Sequence, residues 1–189
     1  RRNLLRAARF ERPDCIPIHF SINPLCWKHY PQDALQDLLA SHPRLFPDFV
    51  HSSEPAAPQY APWRRSGTPY TDSWGCVWET PEDGITGAVK EHSLASWDDF
   101  SRFEPPDPDR HNGWGTIDWN RIAAHLQSAP QADQLKAGAL RHGHTFLTLT
   151  YIRGYENLLF DMADEVPHRM DLIRMVEEFN AGIVERYLQ

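Results

Sequence analysis

Cysteine is scarce in this sequence, and membrane-spanning runs and an excess of positive charge are missing from it. Its 189 residues contain three cysteines, Cys15, Cys26 and Cys76, which lie far apart and form no CxxC motif. This usage fits unpaired thiols in a reducing compartment, although the sequence alone leaves pairing open. No apolar run approaches the length that spans a bilayer, and no signal-peptide pattern opens the chain. We therefore expect a cytoplasmic protein with no membrane partner.

The charge balance is acidic. The 19 basic and 26 acidic side chains give a formal net charge of −7 at pH 7, and the pI is about 5.8. Such a balance provides no positive field that would attract nucleic acid or an anionic membrane. Because 41% of the residues are hydrophobic and 24% are charged, the composition is that of an ordinary globular domain. We expect no nucleic-acid partner.

Proline and tryptophan are present in unusual numbers, with 16 and 7 copies. They cluster in the first two thirds, which predicts ordered loops with aromatic anchors. Within that region, residues 70–79 place Trp74, Cys76 and Trp78 on one side of an alternating run. A second alternating run covers residues 85–92, and a turn ending in Gly84 separates the two. Residues 68–93 therefore predict a β-hairpin.

Residues 135–159 have a strand–turn–helix pattern that is central to the predicted fold. Residues 135–140 predict a short buried strand, and Arg141, His142, Gly143 and His144 form a polar turn after it. An apolar segment follows, so the whole stretch is typical of one βα step, and in βα barrels such turns build the active-site face. Further helices are predicted at residues 2–10, 31–40, 96–103, 116–127 and 167–188, and a strand at 15–20. The stripe of the last helix is Leu172, Val176, Phe179, Ile183 and Tyr187.

The order of several segments resembles the uroporphyrinogen decarboxylase-like superfamily, which also contains cobamide-dependent methyltransferases. The segments are RRNLLRAARFERPDCIPI, DSWGCVWE, WDDFSRFEPPDP and the tail that begins YIRGYENLL. The resemblance implies an α/β fold, in which residues 1–189 form the N-terminal portion of a TIM (β/α)8 barrel with the hairpin as an insertion. It also favours a helix over residues 145–151, where alternation and β-branched residues slightly favour a strand. We expect the domain to be incomplete in this chain.

The resemblance carries over to few site residues. Tyr151 has a setting similar to the T-Y-x-x-x-G tyrosine of the decarboxylases, with Gly154 one residue earlier, and Asp72 is a candidate counterpart of their aspartate. Their arginine-rich loop corresponds here to SINPLCWKHY, which has no arginine. A substrate with many carboxylates needs fixed cationic donors, and arginine is the natural choice.

Position along the predicted barrel suggests the remaining candidates. His142 and His144 are expected to act in substrate binding or proton transfer, against an even chance that both are surface histidines. Arg141 and Arg153 are the arginines near the turn; either could hold a carboxylate, and we expect Arg153 to be solvated. His19 and Asn23 follow the first predicted strand and would face the cleft, although packing and turn-capping roles are about twice as common. Trp74 and Trp78 could stack on a flat tetrapyrrole or corrin ring, but core positions are more common.

Two classes of function follow from the resemblance. The first is an enzyme, expected to be a carboxy-lyase of porphyrin metabolism that decarboxylates a tetrapyrrole at the strand ends without a cofactor. Its alternative is methyl transfer, with a corrinoid-linked substrate at the barrel mouth and zinc bound elsewhere in the full-length protein. The second class is a non-catalytic binding module. We expect the fragment alone to be inactive, and its exposed strand edges to favour a homodimer.

Overall fold

The computed structural model of the chain describes residues 2–18, 20–54, 58–128 and 137–189. Seven α-helices lie in these ranges: α1 (Arg2–Ala8), α2 (Cys26–His29), α3 (Gln32–Ser41), α4 (Trp119–Gln127), α5 (Phe146–Arg153), α6 (Tyr155–Ala163) and α7 (His168–Leu188). Three short strands are β1 (Tyr70–Thr71), β2 (Val77–Glu79) and β3 (Ala88–Glu91). Short 3-10 helices cover Pro62–Arg64 and Trp97–Arg102.

The strands form one antiparallel sheet in the order β1-β2-β3. Tyr70 pairs with Trp78, and Trp78 pairs with Val89. The predicted hairpin is therefore confirmed, but residues 70–79 are two strands and not one. A tight turn separates them, because Gly75 has a φ of +81° and its N–H donates to the carbonyl of Asp72 at 3.0 Å. Glycine adopts this left-handed conformation at little cost.

The predicted barrel is wrong. The strands that the structure describes pair antiparallel only, so this part of the chain has no parallel β/α sheet. Residues 137–140 are irregular, and residues 135 and 136 lie outside the described ranges. The physical reason is that Ala137, Gly138 and Ala139 offer a strand little side-chain surface to bury. Gly138 instead packs under the ring of Tyr187, where an added Cβ would come within 2.4 Å of a ring carbon.

The predicted first strand is also absent from the residues that can be described. Residues 15–18 and residue 20 are irregular, and His19 lies outside the described ranges. Pro17 cannot donate a backbone hydrogen bond to a sheet. The side chains of Ile16 and Ile18 remain 80% and 67% exposed, so the apolar run does not mark a buried strand here.

Residues 146–151 of the ambiguous segment are helical, as the resemblance implied, and Thr145 directly precedes the helix. Its threonines satisfy their hydroxyls locally: Thr150 Oγ1 donates to the carbonyl of Leu147 at 2.7 Å, and Thr148 Oγ1 donates to that of Gly143 at 3.1 Å. Leu149 and Ile152 then point into the core with 3% and 0% exposure. Tertiary packing has overridden the intrinsic preference of the threonines for strands.

The core lies where the sheet meets the last three helices. Its buried members are Trp74, Cys76, Trp78, Leu94, Leu149, Ile152, Leu158, Leu172, Val176, Phe179 and Ile183. Four of the five predicted stripe residues of α7 are among them, and Tyr187 packs against them from a partly buried position. Helix α1 has no buried residue. In the described ranges, no helix combines the length and the apolar character needed to cross a membrane.

Candidate functional site

A buried ion pair between Asp72 and Arg141 lies at the centre of the candidate site. Asp72 Oδ2 and Arg141 Nη1 are 2.9 Å apart, and the two side chains are 0% and 3% exposed. Asp72 Oδ1 accepts hydrogen bonds from the backbone N–H groups of Trp74 and Cys76 at 2.9 and 3.0 Å. Asp72 Oδ2 also accepts one from Trp78 Nε1 at 2.9 Å. The carboxylate is fully engaged, so it organises the β1–β2 turn and holds Arg141 in place.

The guanidinium of Arg141 is only half satisfied. Nη1 donates to Asp72 and to the carbonyl of Gly113, each at 2.9 Å. Nε and Nη2 are buried and have no hydrogen-bond partner. The group lies 3.8 Å from the ring centroid of Trp114 and 5.1 Å from those of Trp78 and Tyr151. Cation–π attraction offsets part of the desolvation, but unmade hydrogen bonds of a buried charged group are costly.

Arg153 provides the contrast within the same chain. It is buried and not solvated as expected: Nε donates to Asp161 Oδ2 at 2.7 Å and Nη2 donates to Oδ1 at 3.3 Å. Nη1 donates to the carbonyls of Leu94 and Ala95. Each of its nitrogens has an acceptor, so the arrangement is that of a structural ion pair.

A cavity of about 570 Å³ adjoins Arg141, and we call it the arginine cavity. Its wall residues include Trp63, Arg64, Asn112, Trp114, Arg141 and His142. Trp63 and Trp114 are stacked, with ring centroids 5.1 Å apart and an interplanar angle of 8°. Arg64 Nε is a further buried nitrogen with no hydrogen-bond partner. The cavity therefore combines flat aromatic walls with two arginines that have unused donors.

A second cavity of about 500 Å³, the aromatic cavity, shares Thr86, Trp114 and His142 with the first. Its other walls include Trp78, His92, Tyr151 and Tyr155. Because three residues line both spaces, the two cavities adjoin each other. Neither Asp, Glu, Lys nor Arg is among the described residues that line the aromatic cavity. One space is therefore cationic and its neighbour is uncharged.

The structure brings four of the predicted site residues together: Asp72, Arg141, His142 and Tyr151. His142 is exposed and lines both cavities, and Arg141 lines the arginine cavity. Tyr151 lines the aromatic cavity and packs edge-on against Trp78, with the two ring centroids 4.7 Å apart. His144 is exposed and lines neither cavity; it lies in an open concavity that Arg141 and His142 also line, with Nδ1 3.0 Å from Thr145 Oγ1.

Asn23 and Trp74 line neither cavity, and Trp78 lines only the aromatic cavity. Asn23 is exposed and caps a turn, since its Oδ1 accepts the N–H of Leu25 at 2.9 Å. Nothing is described of His19. Trp74 is 3% exposed and packs edge-on against Phe179 in the core. Trp78 is 2% exposed and belongs to the core, although one part of it reaches the aromatic cavity.

Trp114 and His92 are site residues that sequence reasoning missed. Trp114 lies in the run NGWG, where Asn112 Oδ1 accepts the N–H groups of Trp114 and Gly115 at 3.0 and 3.1 Å. Such a run indicates a tight turn, and a tryptophan held on a turn was the available signal. His92 ends the predicted hairpin, and nothing in its local sequence distinguished it.

Two ionisable groups beside the ion pair are held in their neutral forms. Burial and the nearby Asp72 carboxylate raise the pKa of the Cys76 thiol to about 11. The same two causes raise the pKa of Tyr70, whose hydroxyl donates to the carbonyl of Trp114 at 2.6 Å. A thiol that stays protonated at neutral pH is a poor nucleophile. Cys76 therefore contributes packing and not covalent chemistry.

In the described part of the chain, no three His, Cys, Asp or Glu side chains are grouped so that they could hold a metal ion. Comparison with protein-family models, with curated proteins and with solved structures found no match in any of the three. A function for this chain must therefore be inferred from the geometry of the two cavities.

Proposed function

We propose that this chain binds an organic acid in the arginine cavity, with Arg141 as the residue that holds its carboxylate. The observation that carries the proposal is the pair of buried, unpartnered nitrogens Nε and Nη2. These two atoms form one edge of the guanidinium fork, and a carboxylate matches such an edge with two parallel hydrogen bonds. Asp72 engages Nη1 and leaves that edge unused.

The site favours an acid that also has a flat, unsaturated part. Trp114 lies against the guanidinium at 3.8 Å and stacks on Trp63, so the wall beside Arg141 is planar and apolar. Aromatic walls of this kind bind flat rings through offset stacking. Arg64 lines the same space and could hold a second carboxylate. Because Nε and Nη2 are closed to solvent, we propose that the ligand displaces a wall residue on entry, and exposed His142 is the candidate.

We further propose that the protein is a cytoplasmic enzyme of the decarboxylase-like type, as the resemblance implied, without the barrel. In such a reaction the carboxylate carbon leaves as carbon dioxide, and the electrons of the broken C–C bond pass into the ring system. A proton then takes the place of the carboxylate. Arg141 would hold the acid, while Tyr151 and His142, which line the adjoining cavity, would orient the ring or move the proton. Methyl transfer within the same superfamily stays a prediction that no described residue favours.

Binding of benzoate compared with benzamide tests the carboxylate site by calorimetry. The two probes have the same shape, and only benzoate can accept two hydrogen bonds from Arg141 as an anion. We expect benzoate to bind at least about tenfold more tightly, and a neutral pair, Asp72→Asn with Arg141→Gln, to abolish the difference. Changing both members avoids leaving one buried charge uncompensated. Arg65→Gln is the matched control, because Arg65 follows Arg64, is exposed, and its Nε donates to the carbonyl of Tyr60 at 2.9 Å.

Turnover separates the enzyme from a binding module. Release of carbon dioxide from uroporphyrinogen, reduced by about a hundredfold or more in Tyr151→Phe, would support the enzyme. Benzoate binding without any turnover by the full-length protein would support the binding module. Equal affinity for benzoate and benzamide would rule out both, because the acid would then not be recognised at Arg141.

A further inference from the structure

His92 is held in one tautomer by a hydrogen bond to the backbone. Its Nδ1 lies 2.7 Å from the carbonyl oxygen of Tyr151, in the last turn of α5. A carbonyl oxygen can only accept, so Nδ1 must carry the proton. In the neutral imidazole the other nitrogen, Nε2, therefore has a free lone pair. The hydrogen bond at Nδ1 therefore leaves Nε2 of His92 able to accept a hydrogen bond from a ligand.

The packing around His92 fixes where Nε2 lies. The same carbonyl of Tyr151 accepts a second hydrogen bond from Cys76 Sγ at 3.2 Å, which anchors the acceptor. The edge of the ring formed by Cδ2 and Nε2 packs on Gly154, where an added Cβ would come within 3.3 Å of either atom. Gly154 also has a φ of +88°. Both the left-handed backbone and the close approach of the His92 ring therefore require glycine at this position. Nε2 makes no hydrogen bond to any residue in the described ranges, and His92 lines the aromatic cavity.

The walls of that cavity define the chemistry of its ligand. The rings of Trp78, Trp114 and Tyr151 offer aromatic surface, and no carboxylate, ammonium or guanidinium lines the space among the described residues. The other titratable groups on it are His142, Tyr151 and Tyr155. An uncharged site with aromatic walls favours a flat neutral ring over an ion. A single fixed acceptor adds a preference for a ring that carries a hydrogen-bond donor.

We infer that the aromatic cavity binds a neutral, flat heteroaromatic ring whose N–H group donates to Nε2 of His92. This site shares Thr86, Trp114 and His142 with the arginine cavity, but it has no charged wall residue in the described ranges, and the inferred hydrogen bond to His92 involves no atom of Arg141. The two adjoin through Trp114 and His142, so one molecule with a ring and an acid group could occupy both. The inference concerns only the ring site and is tested by itself.

Indole and benzofuran are the matched probes for the ring site. They have nearly the same shape, but benzofuran has an oxygen where indole has N–H. At pH 8, where an imidazole is neutral, we expect the wild-type protein to bind indole about threefold to tenfold more tightly than benzofuran. Calorimetry on the complete chain measures both affinities, and the ratio cancels the contribution of ring burial.

His92→Asn is the decisive variant, because the asparagine amide can still donate to the carbonyl of Tyr151 but offers no counterpart of Nε2. We expect His92→Asn to keep the Tm and the affinity for benzofuran and to lose the preference for indole. A purely structural histidine would instead leave that preference intact in His92→Asn. His92→Ala, which removes both interactions, measures how much stability the Nδ1 hydrogen bond contributes.

Two outcomes would overturn the inference. Equal binding of indole and benzofuran by the wild-type protein would mean that no group in the cavity accepts a hydrogen bond from the ring N–H. An unchanged preference in His92→Asn would mean that another group accepts the N–H. If His92→Asn does not fold, nitrogen chemical shifts of His92 in the wild-type protein still decide: indole must change the signal of Nε2, and benzofuran must not.

Discussion

Arg141 and Arg153 are both buried guanidinium groups that face an aspartate and an aromatic ring, yet they use their nitrogens differently. Arg153 has acceptors for each of its nitrogens, whereas Arg141 leaves Nε and Nη2 without one. Breaking either pair would be costly, because an uncompensated buried charge remains. Of these two arginines, Arg141 alone combines burial with unused donors and a cavity, and this combination is the basis of the proposed acid site.

Cys76 provides a prediction about pH at the scale of one residue. Its pKa is raised from the usual value of 9.0 to about 11, with burial as the largest cause. Between these values the unfolded chain binds fewer protons than the folded chain, so the free energy of unfolding falls as pH rises. The stability that the protonated Cys76 thiol contributes is complete below pH 9 and is lost by about pH 11. From the size of the shift we expect a loss of about 2 kcal/mol.

Cys76→Ser isolates this effect from the titration of lysines and tyrosines. Denaturant unfolding of both proteins between pH 8 and pH 11 gives the difference in their free energies of unfolding at each pH. We expect that difference to shrink by about 2 kcal/mol over the range, since serine does not ionise there. A difference that stays constant would mean that the Cys76 thiol titrates as it does in the unfolded chain.

At the scale of elements, the buried stripe of α7 should contribute most to stability. Leu172 is 0% exposed, whereas Leu188, on the same helix, is 81% exposed. Leu172→Ala leaves a cavity in the core, and we expect it to lower the free energy of unfolding by about 2–5 kcal/mol. Leu188→Ala is the matched control and should change it by less than about 0.5 kcal/mol. Denaturant unfolding measures both, and similar effects would mean that α7 does not pack as described.

The elements that could be predicted from sequence are those whose pattern coincides with their burial. The spacing of Leu172, Val176 and Phe179 matches one helix face, and all three are buried. Alternation likewise placed Trp74, Cys76 and Trp78 on one side, where the structure buries them. In both segments, the spacing of the apolar residues indicates directly which side chains face the core.

The errors arose where local pattern and tertiary packing diverge. Ala137, Gly138 and Ala139 are small, so this run can be a strand or an irregular segment, and the contact of Gly138 with Tyr187 favours the irregular form. The site depends on contacts between distant positions: Arg141 meets Asp72 and the carbonyl of Gly113. Arg141 and Asp72 were each candidates from the sequence, but their pairing depends on the fold. The fold also determines the roles of Trp114 and His92 and leaves two nitrogens of Arg141 without acceptors.

For the whole molecule, the buried cluster and both cavities depend mainly on residues after Trp63. The core members range from Trp74 to Ile183, and none comes from the first 54 residues. Helix α2 is linked to the hairpin turn by Lys28 and His29, which contact Glu82 at 3.3 and 2.7 Å. Such partly exposed ion pairs contribute little stability. The ring site is thus formed by the best-packed part of the chain, whereas the arginine cavity also has walls from Pro24 and from residues 59–61 and 63.

This distribution predicts uneven hydrogen exchange across the molecule. Helix α1 is seven residues long, buries none of them, and is held by exposed ion pairs from Arg2 and Arg6 to Asp14. Because short helices are marginal without packing, the amides of α1 should open locally. Those around Val176 should exchange only through global unfolding. We expect protection to differ by about three orders of magnitude or more between the two helices.

Native-state exchange followed by mass spectrometry measures this difference directly. Added salt should lower the protection of α1 further, because its ion pairs are screened, and should leave α7 unchanged. Equal protection in α1 and α7 would mean that the first helix unfolds together with the core. Its exposed face would then have to be covered by contacts that the described residues lack. The gradient in exchange therefore tests whether the sites depend on the core that follows Trp63 or on the chain as one cooperative unit.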